Sequence, residues 1–409
     1  MRFCFVTTFY PPYNFGGDGI NVQRLARALV KRGHDVTVVF DRDAYNSLRK
    51  TGSAASERFD DGVKVAEIKS GFGILAPLLA QQTGYPLLSK HLLKPLLEKG
   101  FDVIHYHNVS LVGGPGILQY GNAVKLFTAH EHWLVCPAHT LWRHGKEVCT
   151  GRECVRCQLS YFRPPQIWRH TGLLEKELHH IDLFLALSEF SREKHREFGF
   201  PREMTVLPCF VPDTNLIEDE NHQTTPHARP YFLFVGRLEI IKGLDDVIPL
   251  FRQYTGADLL IAGEGGHGEA LRSLAAGLCR VRFLGQVSNH ELQRYYRHAI
   301  ATLAPSVCYE TFGATIIESF QQSTPVIARR IGASTELLQA SQGGLLFEKP
   351  AELVAALSKM QGEVEFRARA AHAARQAFLA QWSEDVVVPR YLELVMNAAS
   401  RRARKADLG

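Results

Sequence analysis

The sequence predicts an α/β protein of two domains, each a doubly wound parallel sheet. Short β-branched and apolar runs alternate with longer amphipathic ones, the pattern of parallel strands joined by covering helices. The chain has 409 residues, more than a single core normally accommodates. Midway, the alternation is interrupted by a polar, proline-bounded stretch, PDTNLIEDENHQTTPHARP (Pro212 to Pro230), which reads as a linker.

Taken in order, the strand candidates of the first half are Arg2–Phe9, Asp35–Phe40, Val63–Ile68, Asp102–Tyr106, Ala123–Thr128 and Asp182–Leu187. Between the first two, Ile20, Leu25, Leu29 and Val30 fall near one face of a helix over Ile20–Arg32, which Gly33 stops. After the linker the alternation restarts with YFLFVG, ADLLIAG, VRFLG, AIATLAP and PVIAR, and from Ala351 onward the pattern is mostly helical. The expected organisation is therefore a first domain over 1–212 with a Cys-rich insertion at about 132–165, a linker over 213–230 and a second domain over 231–380. A helix over 381–409 would pack back on the first domain. Ligands of such folds bind beyond the carboxyl ends of the strands, so a cleft between the two sheets is the expected site.

Composition narrows the function. Hydrophobic residues make up 45% and charged residues 22%, an ordinary globular balance. No run of eighteen apolar residues exists to span a membrane, and the opening MRFCFV reads as a buried strand rather than a leader. A net charge of +5 suits anionic substrates or an anionic surface and does not indicate a nucleic-acid binder. The expected location is the cytoplasm, with thiols reduced.

Three places look built for an anion. In YPPYNFGGDGINVQRLARAL, Gly16 and Gly17 let the backbone approach a ligand where a helix begins; a plain strand-to-helix turn is the alternative. In FVGRLEIIKG, Arg237 and Lys242 follow a strand, with Gly236 and Gly243 allowing tight turns. A planar guanidinium and a point charge suit a diphosphate, the alternative being two solvated cations. In APSVCYETFGATIIE, a helix starts at Phe312-Gly313-Ala314-Thr315, whose free N–H groups can hold a phosphate. Glu310 precedes it and can reach neutral hydroxyls, while Glu318 can accept from a vicinal diol such as ribose. The other reading is a surface carboxylate at Glu318 and, at Glu310, a charge complementing the helix dipole.

GEGGHG (Gly263–Gly268) matches a dinucleotide fingerprint, yet the acidic residue due about 20 positions later is missing from CRVRFLGQV. A nicotinamide-dependent dehydrogenase is not expected, although Gly263 and Glu264 remain placed to line a nucleotide.

FGGDGINV, HYHN, FTAHEHW, VGRLEIIKG, IAGEGG, VRFLGQV and APSVCYETFGATIIESFQQSTPVIARRIGASTELL occur in the order found in the retaining glycosyltransferases of family 4. The chain resembles that family over nearly its whole length. The resemblance implies a GT-B fold and transfer from a nucleotide-diphosphate sugar (UDP- or GDP-linked) to a glycan or lipid-linked acceptor, with the anomeric configuration kept. It implies no divalent metal for the transfer step. It matches Arg237 and Lys242 to the diphosphate, Glu310 to sugar hydroxyls, Glu318 to the ribose, and Phe312 to Thr315 to the distal phosphate. Gly17 matches the amino-terminal loop, and His130 matches the histidine near the reacting carbon. Retention commonly involves a covalent glycosyl-enzyme, but no carboxylate here is clearly placed as nucleophile, so same-face attack is the mechanism implied. A GT-B sugar-nucleotide epimerase and a non-catalytic nucleotide-sugar binder are the alternatives.

Two features remain. Cys136, Cys149, Cys154 and Cys157 cluster in the insertion; structural zinc fits, with His139 and His144 as alternative ligands and free thiols, disulfides or an iron–sulfur cluster as the other readings. FGILAPLLAQQTGYPLLSKHLLKPLLEKG, rich in leucine with Lys90, Lys94 and Lys99, reads as either a core helix pair or an interfacial helix. His105 and His107 are expected as sheet histidines without a catalytic role.

Overall fold

A computed structural model describes residues 1–48, 60–213 and 224–407. The chain forms two compact units, Met1–Pro208 with Val387–Gly409, and Cys209–Val386.

In the first unit the strands are β1 (Arg2–Val6), β2 (Asp35–Asp41), β3 (Lys64–Ile68), β4 (Val103–Tyr106) and β5 (Val124–Ala129), then a small hairpin, β6 (Trp142–Arg143) with β7 (Glu147–Val148), then β8 (Leu183–Ala186) and β9 (Met204–Val206). Seven of them make one parallel sheet in the order β3-β2-β1-β4-β5-β8-β9. Phe3 to Val6, all of β4 and all of β5 are buried, the polar His105 and Lys125 included, as strands are when helices cover both faces of a parallel sheet. The helix after β1 spans Gly17–Lys31, three residues earlier than the apolar period indicates, and Gly33 (φ +80°) follows its C-cap.

The second unit carries β10 (Tyr231–Val235), β11 (Asp258–Ala262), β12 (Val281–Gly285), β13 (Thr302–Ala304), β14 (Val326–Arg329) and β15 (Gly344–Phe347). Their parallel order is β12-β11-β10-β13-β14-β15. The edge strands β9 and β15 are absent from the sequence expectation: β9 has three residues, and β15 (GLLF) lacks the β-branched signature. Gly344 is required in β15, because a Cβ there would lie 1.8 Å from the Val326 carbonyl oxygen.

Much of the polar stretch 213–230 lies outside the described residues, and its described ends are tied to the second unit. Asp213 pairs with Arg375 at 2.8 Å, and the Pro212 carbonyl accepts from Gln321 at 2.6 Å. His227 and Arg229 reach Asp258 at 2.8 and 3.1 Å. The helix Glu384–Asp407 contributes to the first unit from Val387: the Tyr391 ring stacks on His105, and Arg402 meets Asp182 at 3.1 Å.

The leucine-rich segment forms two helices of different character. Lys90–Leu97 buries Leu93 and Leu97 in the core. Leu75–Thr83 buries only Ala76, Pro77 and Ala80, and leaves Leu75, Leu78 and Leu79 exposed.

Candidate active site

In each sheet the strand order reverses once, between β1 and β4 in the first unit and between β10 and β13 in the second. Loops at such a switch point diverge to opposite sides and leave room for a ligand between them. The predicted residues of the second unit collect there. The loop after β10 carries Arg237 and Lys242, and the loop after β13 carries Glu310.

Lys242 Nζ donates to Glu310 Oε1 at 2.7 Å, each side chain about one quarter exposed. Ser306 Oγ donates to the same oxygen. Burial alone would raise the Glu310 carboxyl, but the Lys242 ammonium, hydrogen bonds from Lys242 and Ser306, and the Arg237 charge together hold it below its ordinary value. Burial likewise opposes the Lys242 charge, and the Glu310 carboxylate overrides it, so the lysine is raised. Both groups are therefore ionised at neutral pH, and a compact charge pair sits at the switch point. Arg237 is half exposed and donates to Glu239 at 2.8 Å.

The backbone fixes this pair. Val307 N–H donates to the Ile241 carbonyl at 2.9 Å, which ties the two loops together. Gly243 (φ +72°) makes that approach feasible: a Cβ would lie 2.1 Å from the Pro305 carbonyl oxygen. Just beyond, the helix Ala314–Gln321 begins at the Gly313 cap, whose carbonyl accepts from Ile316 N–H at 2.9 Å and from Ile317 N–H at 3.2 Å. The N–H groups ahead of these, on Ala314 and Thr315, present a partial positive charge. Phe312 is buried, and Ala314 and Thr315 are partly exposed. Glu318, one turn along, accepts from Tyr296 Oη at 3.1 Å.

The glycines expected to line a nucleotide have a packing function. A Cβ on Gly263 would fall 2.0 Å from the Gly236 carbonyl oxygen, and one on Gly265 would fall 2.4 Å from that of Leu238. They let the loop after β11 lie on the loop after β10. Glu264 is exposed beside them, and its carbonyl accepts from Leu238 N–H at 3.0 Å.

In the first unit, Gly16 caps the first helix in extended conformation and Gly17 opens it, with no atom within 4 Å of where a Cβ would stand. Across the switch point, Thr8 Oγ1 donates to the Asn108 carbonyl at 3.0 Å. His130, just after β5, shares a proton with His107, Nε2 to Nδ1 at 2.9 Å. His105 bonds Thr128 at 2.7 Å and Tyr391 at 3.1 Å. Burial holds His105 and His107 well below the usual histidine range, and lowers His130 to about 4 against the upward pull of Glu131. His130 is accordingly a neutral imidazole at pH 7. Ring NMR resonances of His130 are expected to keep their neutral shifts down to pH 5; titration of His130 near the ordinary histidine value of about 6.5 would contradict this environment.

Ser306, Asn108 and His107 were not singled out as site residues in the sequence, and Gly243 only as allowing a tight turn. Ser306 could have been found from its place four residues before Glu310, and His107 from its alternation with His105. The contacts of Asn108 and the Pro305 approach of Gly243 leave no local signal.

Among the described residues, no three His, Cys, Asp or Glu side chains converge as a metal-ligand set. Cys136, Cys149, Cys154 and Cys157 are free thiols. Side-chain hydrogen bonds tie this segment together. Arg143 meets Glu147 at 2.7 Å, His144 meets Glu153 at 3.2 Å, and His139 meets Glu131 at 2.6 Å. Tyr161 Oη donates to the Trp142 carbonyl at 2.6 Å, and Arg169 donates to that of Trp133 at 2.9 Å.

Comparison with known proteins places these features in context. Residues 15–215 match the family model described as Glycosyltransferase Family 4, and residues 229–362 match that of Glycosyl transferases group 1. The chain is 36% identical to a phosphatidyl-myo-inositol mannosyltransferase of Mycobacterium leprae over 82% of its length and 81% of that relative. Among solved structures, sucrose-phosphate synthase of Thermosynechococcus elongatus superposes with a TM-score of 0.75 at 17% identity, over 98% of this chain and 100% of the other. HepE of Anabaena, in complex with UDP and glucose, superposes with a TM-score of 0.68 at 17% identity, over 97% and 100%.

Proposed function

The chain belongs to glycosyltransferase family 4 and has the GT-B fold, and from that premise we propose that it moves a sugar from a UDP- or GDP-sugar to a hydroxyl of a glycan or lipid-linked acceptor, with retention of configuration. The observation that carries this reading is the Lys242–Glu310 pair at the switch point of the second unit, set beside a helix N-terminus.

Breaking the bond between the anomeric carbon and the diphosphate builds negative charge on the leaving group, and transfer is fast only where that charge is met by groups already in position. Arg237, Lys242 and the first-turn N–H groups of Ala314–Gln321, with Gly313 and Phe312 shaping the turn, supply that field. Glu318 accepts from the ribose diol. Glu310 accepts from the sugar hydroxyls, and before donor arrives it keeps Lys242 charged and oriented. When the diphosphate binds, Lys242 has a second anion to serve. His130, neutral, contacts the transferred sugar without adding a charge that would oppose an oxocarbenium-like centre. Gly16 and Gly17 let the first-unit loop approach substrate closely. The departing phosphate oxygen takes the proton of the incoming hydroxyl on the same face.

The test is release of nucleoside diphosphate from a panel of UDP- and GDP-sugars, with the anomeric configuration of the product read by NMR. One donor class is expected to turn over, slowly with water and faster with acceptor, giving product of the donor's configuration. Turnover of none, or inverted product, would overturn the reading.

A further inference from the structure

His107 and His130 each stand one residue past the end of a strand, β4 and β5, and these two strands pair in parallel with Tyr106 opposite Phe127. Their rings meet through one pair of atoms, His107 Nδ1 and His130 Nε2, 2.9 Å apart. His130 is partly exposed, whereas His107 is buried. The buried member is held from several sides. Its backbone N–H donates to the Val6 carbonyl at 2.9 Å, and its ring packs at right angles to that of Phe5, 5.1 Å between centroids, and 4.0 Å from that of His105. His105 is fixed in turn by Thr128 and Tyr391. A side chain locked by packing in this way confines the group that it bonds.

The proton between the two rings has a definite place. Burial, with His105 and His130 alongside, keeps His107 neutral at pH 7, so it carries a single N–H. His107 Nε2 is buried and has no hydrogen-bond partner. A proton there would be a buried donor without an acceptor, a rarer condition than an acceptor left unused. On Nδ1 the same proton makes the 2.9 Å bond. His130 Nε2 is then the acceptor, and the neutral His130 carries its own proton on Nδ1. A second proton on His130, at Nε2, would set N–H against N–H, so the pair also opposes the imidazolium form.

We propose that His107 is a positioning residue for sugar transfer: its Nδ1–H donates to His130 Nε2 and so fixes both the ring and the Nδ1–H tautomer of the histidine that meets the transferred sugar. This rests on the reading of His130 under Proposed function. With Nε2 occupied, His130 offers a hydrogen-bond donor and no basic nitrogen, in keeping with a reaction in which the departing phosphate takes the proton of the incoming hydroxyl.

The experiment reads ring nitrogens and rates in the full chain. Long-range proton–nitrogen correlation spectra of histidine-labelled protein, with His130 assigned by its loss in H130Q, are expected to show His130 as the Nδ1–H tautomer. H107F keeps a ring against Phe5 and His105 but offers no donor, and in it His130 is expected to turn to the Nε2–H form. The same variant, folded by circular dichroism, is expected to lower the rate at saturating donor by ~10- to 100-fold, the scale on which a misplaced group acts, with donor KM within ~3-fold of wild type. H107N, whose amide nitrogen stands where Nδ1 stood, is expected to recover most of that loss. His130 found as Nε2–H in wild type, or in one tautomer in both wild type and H107F, would overturn the proposal. So would H107F turning over as wild type does, or H107N as slow as H107F, because packing rather than the donated proton would then be the cause. The tautomers are read without substrate, so a wild type that turns over no nucleotide sugar would overturn the proposed reaction, and with it the part of His107 in transfer, while the spectra still decide the bond between the two rings.

Discussion

Glu310→Ala is expected to lower the rate of transfer about 10³-fold, the scale on which one preorganised group acts in a transition state, while UDP or GDP binds within about 3-fold of wild type. The separation follows from geometry. Glu310 is an anion and cannot favour a diphosphate; its removal releases Lys242 Nζ, which it holds at 2.7 Å, to the phosphates. What is lost is the acceptor for sugar hydroxyls and the orientation of the lysine. Glu310→Gln, which keeps the shape and one acceptor, recovers part of the rate. Calorimetric titration of the nucleoside diphosphate alongside single-turnover rates checks both halves. Loss of nucleotide binding with turnover preserved would reverse the assignment.

Lys242→Ala is expected to act on binding and stability together. The charged hydrogen bonds of one ammonium are worth about 1.5–3 kcal/mol, so donor KM should rise roughly 10- to 100-fold. The variant also strands the Glu310 carboxylate. Removing one partner of a fully buried pair costs about 3–5 kcal/mol. Both side chains here are 24% exposed, so a loss of about 1–2 kcal/mol is the appropriate expectation. If the stranded carboxylate is the cause, Lys242→Ala with Glu310→Ala unfolds at a higher urea concentration than Lys242→Ala alone. Equal midpoints would mean that the stranded carboxylate costs the folded state nothing. The pH dependence has a definite sign. Glu310 is lowered in the folded chain, so the contribution of the pair is present above the ordinary carboxylate value and is lost as pH falls through the lowered one.

How far the sequence carried depends on whether a feature is local. The strands β1, β2, β4, β5, β10 and β11 are predominantly apolar runs, largely buried, and such runs stand out in any window of the chain. The strands β9 and β15 lie at sheet edges with short or glycine-containing runs, where packing against one neighbour decides the conformation. Arg237, Lys242 and Glu310 were legible as residues because each stands just past a strand. That Lys242 and Glu310 touch, 68 positions apart in sequence, depends on β10 and β13 being neighbours, which only the sheet order gives.

The glycines of GEGGHG show the opposite case. Their spacing suggested a ligand, whereas the approach of one backbone to another that Gly263 and Gly265 permit, at Gly236 and Leu238, leaves no mark in the spacing. The insertion is a related case. Four cysteines in a segment with little apolar core suggested a metal staple, and the contacts of Arg143, His144, Tyr161 and Arg169 could not be read beside them. Side-chain hydrogen bonds between residues four to thirty-six apart leave no periodic trace in a sequence. The exposed leucines at 75, 78 and 79 were likewise ambiguous, because a helix that buries its leucines and one that presents them are written alike.

The central claim is that the donor diphosphate is held at the switch point of the second unit. Crystals of the full chain grown with the UDP- or GDP-sugar that turns over test it most directly. The diphosphate is expected within hydrogen-bond reach of Arg237, Lys242 and the first-turn N–H groups of Ala314–Gln321, with the ribose at Glu318. Density for the diphosphate at any other place, with those groups left in contact with solvent, would contradict it.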